Sequence, residues 1–319
     1  MSKRPLLVLL VLGLPVLKAQ GALDCGKYPT ATTSEGPTCE RVGILPWLAG
    51  IPGAWETELR LGAAGDTVRF SFSLSLPTFP DFWDVNLVLE DSSLGATFFE
   101  EIDHLDLARH GSHWTRILGA CHYHGDQCPA EAATGSLIVT ARAATAAALD
   151  AVSAFGVYKY TSNGSVVSQA TAPVIFLDQA AVRWSAIVTE TPRDQQGQPD
   201  ATITSFAVRN LSPDPQAVLV RVYDERGNLT ASAKTPVLDQ ADGLAGGIYA
   251  DTLSNVLGID LPPNNLCRLM APPVRGLPCT GPPVFWGTVV FEGEKGGLIA
   301  PVVFRFNGSA LTAVPVKAE

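Results

Sequence analysis

The sequence predicts an all-β protein: two duplicated antiparallel β-sandwich (Ig-like) domains with one short helix each. Three observations carry this expectation. Apolar and polar residues alternate with period 2 in run after run, as in Val68-Arg69-Phe70-Ser71-Phe72-Ser73-Leu74, the pattern of a half-buried strand. Turn residues punctuate those runs too closely for the crossover helices of a parallel sheet. An ordered series of features also occurs twice, the second time after an offset that drifts from 152 residues (Gly135 to Gly287) to 142 (Pro173 to Pro315).

Taken in order, residues 1–21 read as a secretory signal peptide. Lys3 and Arg4 supply the positive start, residues 6–17 the apolar stretch, and Ala19 and Gly21 the small residues before a cleavage site. That stretch is shorter than the roughly 20 residues a bilayer span needs, and no later run is long enough. The expectation is a secreted protein, extracellular or periplasmic, with no transmembrane anchor after cleavage. Removing 1–21 takes away Lys3, Arg4 and Lys18 and no acid, so 22 basic residues become 19 against 31 acidic ones, and the formal charge moves from −9 to −12. An acidic chain without a basic run repels a phosphate backbone, which sets nucleic acid aside as a partner.

All six cysteines follow the signal segment, as near pairs: Cys25/Cys39, Cys121/Cys128 and Cys267/Cys279. Six cysteines allow about 15 connectivities, and short loop closure favours the three local ones. Residues 22–44, with the first pair, read as a disulfide-stapled N-terminal extension. The first sandwich is expected over 45–177 and the second over 178–319.

Strands are expected at 68–74, 85–89, 203–208, 218–223 and 302–306. The turns are at 62–66, Asn163-Gly164, 212–215, Arg226-Gly227-Asn228 and Asn307-Gly308. The best short helices are 113–118 and 251–257. Each is followed by a cysteine pair and then a strand, Gly135-Ser136-Leu137-Ile138-Val139 in one case and Gly287-Thr288-Val289-Val290-Phe291 in the other. Further on, Gly156-Val157-Tyr158 leads through Asn163-Gly164-Ser165 to Ala172-Pro173-Val174, as Val302-Val303-Phe304 leads through Asn307-Gly308-Ser309 to Val314-Pro315-Val316. Alanine-rich 141–155 would be helical by propensity alone. Its counterpart at 291–298 holds three glycines, so strand, loop, strand is expected in both copies.

The second copy, with Phe206-Ala207-Val208-Arg209-Asn210-Leu211, the strand at 218–223, the short helix and Phe285-Trp286-Gly287-Thr288-Val289, resembles the β-sandwich repeats of large, uncharacterised families of exported bacterial proteins. The resemblance covers most of 200–316. It implies an exported sandwich repeat and no particular activity.

All five histidines, His104, His110, His113, His122 and His124, fall within 21 residues, among Asp103, Asp106, Asp126, Cys121 and Cys128. Imidazole, carboxylate and thiolate are the donors that zinc and copper sites use. No HExxH spacing occurs, the second copy has no matching histidine, and an oxidised Cys121/Cys128 pair cannot ligate as thiolates. Neither a GxSxG elbow nor a GxxxxGK[ST] loop is present, so no catalytic residue is assigned. Gly293-Glu294-Lys295-Gly296-Gly297 reads as a hairpin turn. Glu100 and Glu101 with Asp103 and Asp106 offer paired carboxylates, but nothing fixes their separation.

Of the tryptophans at 47, 55, 83, 114, 184 and 286, Trp83 within Phe79-Pro80-Asp81-Phe82-Trp83-Asp84 is the exposed ligand-binding candidate, whereas Trp286 reads as core. Four Asn-X-Ser/Thr sequons occur, at Asn163, Asn210, Asn228 and Asn307, two of them in Asn-Gly turns. The function expected is an exported, non-enzymatic structural or binding module with a glycan or a surface protein as partner. The alternative is a zinc- or copper-dependent function at 104–124.

Overall fold

A computed structural model describes residues 23–50, 55–75, 88–89, 100–101, 104–117, 133–197, 201–239, 247–264, 284–308 and 310–319. Up to the middle of the chain the elements are β1 (Thr30–Thr33), β2 (Gly36–Gly50), β3 (Trp55–Ala63), β4 (Val68–Ser75), β5 (Val88–Leu89), β6 (Glu100–Glu101), β7 (His104–Leu107), β8 (Gly111–Ile117), β9 (Ala133–Ala143), α1 (Ala146–Asp150), β10 (Val152–Ser162), β11 (Ser165–Pro173) and β12 (Ile175–Phe176). Then come β13 (Arg183–Glu190), β14 (Thr202–Asn210), β15 (Val218–Asp224), β16 (Leu229–Lys234), β17 (Ile248–Thr252), α2 (Leu253–Leu257), β18 (Phe285–Gly293), β19 (Ile299–Asn307), β20 (Ala310–Val314) and β21 (Lys317–Ala318).

The protein is all-β, and the described strand pairs are antiparallel. Four principal sheets form two sandwiches. In the first half, β1-β2-β9-β4-β7, with β12 also on β2, faces β11-β10-β3-β8. Between them Leu45, Phe70 and Val139 meet Leu59, Leu61 and Ala154. In the second half, β16-β15-β18-β13-β21 faces β17-β14-β19-β20, and Val188, Val220 and Phe291 meet Phe206, Val208 and Val303. The order β7-β4-β9-β2 in the first half is matched, strand for strand along the chain, by β16-β15-β18-β13. The order β8-β3-β10-β11 is matched by β17-β14-β19-β20. The closing strands match too: β12 lies on β2 as β21 lies on β13.

Local chemistry explains the tight connections. Asn163 and Gly164 take φ of 52° and 74°, the left-handed pair that a two-residue hairpin demands. At the β15–β16 turn the Asp224 carboxylate accepts from the backbone N–H of Arg226 and Asn228 at 2.9 and 2.8 Å, with Gly227 at φ 81°.

The halves meet through aromatic rings. The outer face of β14 and β19 closes one end of the first sandwich, where Trp47 lies 5.3 Å and Tyr158 4.7 Å from the Phe304 ring, and Trp55 lies 5.8 Å from Phe306. The Tyr158 hydroxyl donates to the Trp47 carbonyl at 2.6 Å, and complete burial pushes its pKa well above the usual tyrosine range. Each such ring pair adds roughly 0.5–1.5 kcal/mol beyond the area it buries. At the opposite corner Cys25 and Cys39 form a disulfide. Beside it the buried Arg41 guanidinium grips Asp178 with two bonds of 2.9 and 3.1 Å and stacks on Phe176 at 4.0 Å. Asp178 sits in the connection between the halves, so this pair ties the linker down. Burial opposes ionisation there, but Arg41 and Lys27 hold the Asp178 carboxyl below its ordinary range.

Several expectations change. The boundary at 44 falls inside β2, so much of 22–44 is sandwich strand and not an appendage. Residues 113–117, expected as helix, lie in β8, because ladder pairing with β3 (Leu61 opposite His113) overrides a local pattern of two turns at most. The first half's short helix is instead α1, inside the connection expected as loop, with Thr145 capping the Ala148 N–H at 3.2 Å. In the second half the helix expected over 251–257 is α2, entered through the Thr252 cap. The signal segment 1–21, Trp83, His122, His124, Cys121, Cys128, Cys267 and Cys279 lie outside the described residues. Among the described residues no helix is long and apolar enough to cross a membrane.

Candidate binding face

Strand alternation decides what the outer face of the β16-β15-β18-β13-β21 sheet displays. Along β18, Phe285, Val289 and Phe291 point into the core, which turns Trp286, Thr288, Val290 and Glu292 outward. On β13, Trp184, Ala186 and Val188 go inward, leaving Arg183, Ser185, Ile187 and Thr189 outside. β15 adds Leu219, Arg221 and Tyr223. Register then aligns Ile187, Thr288, Tyr223 and Leu229 in one row across four strands. At about 4.8 Å per strand the row spans about 14 Å. Ile187 is 62 % exposed, Leu229 56 % and Trp286, two residues before Thr288 on β18 and diagonal to Ile187, 53 %. The expectation that Trp286 is core is therefore corrected: it has the parity of Thr288 and Glu292, and the same alternation could have placed it outside.

The tryptophan is held in place. The Asn264 side chain donates to the Trp286 carbonyl and accepts from its N–H, both at 2.7 Å, extending the ladder where β15 has ended. Next to it Gly287 is obligatory, since a Cβ there would lie 2.1 Å from the Tyr223 carbonyl oxygen. Three cations of the rim are matched inside the chain, Arg221 with Glu292, Lys234 with Glu294, and Arg183 with Glu319 at 2.7 Å, while exposed Lys317 on β21 has no ion pair among the described residues.

Behind this face, Glu190 at the end of β13 is 2 % exposed. It accepts from the Thr204 N–H at 2.6 Å and from Gln196 Nε2 at 3.2 Å. Burial pushes its pKa up to about 7, partly offset by hydrogen bonds from Thr204 and Ser254 and by the charge of Arg193. It closes the end of the second sandwich beneath residues 191–197, and it faces the core side of the sheet.

The histidines separate where they are described. His104 is on β7, opposite Ser71 in one sheet, and His113 is on β8, opposite Leu61 in the other. Exposed His110 occupies the turn between them, at φ 62°. Among the described residues no three histidine, cysteine or acidic side chains group as a metal site would require. Asp106 is engaged by Arg69 in a two-bond pair of 2.7 and 2.9 Å. Glu100 and Glu101 form β6 against β5, and Asp103 is outside the described residues. Asn210, one of the sequon asparagines, is fully buried, its amide donating to the Asp214 and Asp239 carbonyls at 2.9 and 3.0 Å, so the folded chain offers no glycan acceptor there. No protein-family model, curated protein or solved structure matches the chain.

Proposed function

We propose that the chain is an exported, non-enzymatic binding module of two duplicated β-sandwiches, and that the second copy presents the recognition surface. The single observation behind this reading is the exposed row Ile187–Thr288–Tyr223–Leu229 with Trp286 beside it. Exposed apolar side chains brought together on one face and rimmed by polar residues are the kind of surface that marks an interaction site. The identical strand order of the halves supports duplication, and the Cys25–Cys39 disulfide suits an oxidising compartment outside the cytoplasm. The test is retention of the purified chain on cell-envelope and extracellular-matrix preparations. The Trp286→Ala/Ile187→Ser double variant should lose retention while keeping its urea midpoint within about 0.5 kcal/mol of the parent, the usual range for surface changes. Equal retention of parent and variant would remove the face from the argument.

A further inference from the structure

Resting on the binding-module reading, we propose that this face takes a neutral polysaccharide, with the Trp286 indole as its stacking platform. Shape is the first argument. Among the described residues the face is a sheet surface without walls, whereas small-molecule sites are concave and bury most of their ligand. An extended polymer or a polymer surface fits such a plane. A second copy of the chain fits less well. Five strands across by eight residues along β13 give about 20 by 27 Å, roughly 500 Å² a side, and two such faces bury about 1,000 Å², short of the 1,200–2,000 Å² of stable protein interfaces.

Charge is the second argument. Arg221, Lys234 and Arg183 are each spent on a glutamate of the same chain, which leaves exposed Lys317 on edge strand β21, opposite Ser185, as a cation of this face with no ion pair among the described residues. The chain as a whole carries −9 and repels polyanions. One edge lysine against that net charge favours an uncharged partner over a polyanion.

Surface chemistry is the third. The row interleaves apolar Ile187, Tyr223 and Leu229 with the Thr288 hydroxyl, and Thr189 lies opposite Trp286. A neutral ligand with apolar faces and hydroxyl edges, repeating along one direction, is a chain of pyranose rings. Its C–H faces lie on the indole and phenol rings, and its hydroxyls meet the threonines.

The experiment is depletion of the purified chain by insoluble cellulose, chitin, xylan and starch, alongside Trp286→Ala, Ile187→Ser and a control, Phe155→Ser, that alters an exposed apolar residue of the first half. Folding of each is checked by its urea midpoint. Retention on at least one matrix is expected, weakened about tenfold or more by Trp286→Ala, as loss of an aromatic hot spot would do, and unchanged by Phe155→Ser. No retention on any matrix, or equal loss in the Phe155→Ser control, overturns the proposal. A protease-treated envelope preparation separates the two levels of the argument. Trp286-dependent retention that disappears with the protein component overturns the glycan and leaves a binding module. No Trp286-dependent retention before or after treatment overturns both.

Discussion

Glu190 makes the stability of the second sandwich depend on pH in an unusual direction. Its carboxyl is desolvated at the end of β13, and its pKa rises from 4.5 to about 7 despite the bonds from Thr204 and Ser254 and the nearby Arg193 charge. A carboxyl whose folded pKa exceeds its unfolded one favours folding when protonated. Its contribution is thus fully present below pH 4.5 and lost as pH rises through 7. The shift corresponds to about 3 kcal/mol between pH 4.5 and pH 8, at 1.36 kcal/mol per pH unit. The isosteric Glu190→Gln does not titrate, and any constant effect on packing cancels when the two proteins are compared across pH. Urea unfolding of both at pH 4.5, 6 and 8 should show the parent losing about 3 kcal/mol relative to the variant over that interval, most of it between pH 5 and 7. A difference that stays flat, or that shrinks as pH rises, would refute a raised carboxyl at this position.

Arg209 is 1 % exposed, its Nε and Nη2 have no hydrogen-bond partner among the described residues, and burial lowers its pKa to about 10. Arg209→Met should therefore raise stability by about 1–3 kcal/mol in urea, and a loss would show that the guanidinium has a compensating partner. Asp178→Asn strands the buried Arg41 and should cost about 3 kcal/mol by the same assay; a cost under about 0.5 kcal/mol would demote the pair to a surface contact. Replacing Cys25 and Cys39 by serine opens a loop closed across a separation of 14 residues and should cost about 3 kcal/mol. An unchanged midpoint in that variant would mean that the packing of Tyr28 and Arg41 holds the corner without the disulfide.

Strand alternation made most of this architecture legible, because a sandwich strand must turn every second residue to the core. The runs at 68–74, 203–208, 218–223 and 302–306 all lie within observed strands. The reading failed where neighbours distant in sequence decide. His113 and Trp114 have a weak local preference, and the β3 ladder settles it. In 141–155 the flanking strands and a five-residue helix coexist, which neither propensity nor the glycine-rich counterpart could resolve. The candidate face was half legible. Parity alone assigns Trp286 to the outside, but the row that makes it part of a surface joins residues 187, 223, 229 and 288, and only the cross-strand register supplies it. The contact of Trp47 with Phe304 carries no sequence signal at all.

That contact has a consequence for how the chain comes apart. Among the described residues, Phe304 and Phe306 of the second half cover the Trp47 end of the first sandwich. Severed at the Asp178 linker, the first half would expose Trp47, Trp55 and Tyr158 together to water, a loss of several kcal/mol for a unit of ordinary marginal stability. The two halves therefore share this contact, and a ribosome must have made Phe304 and Phe306 before that end of the first half is covered.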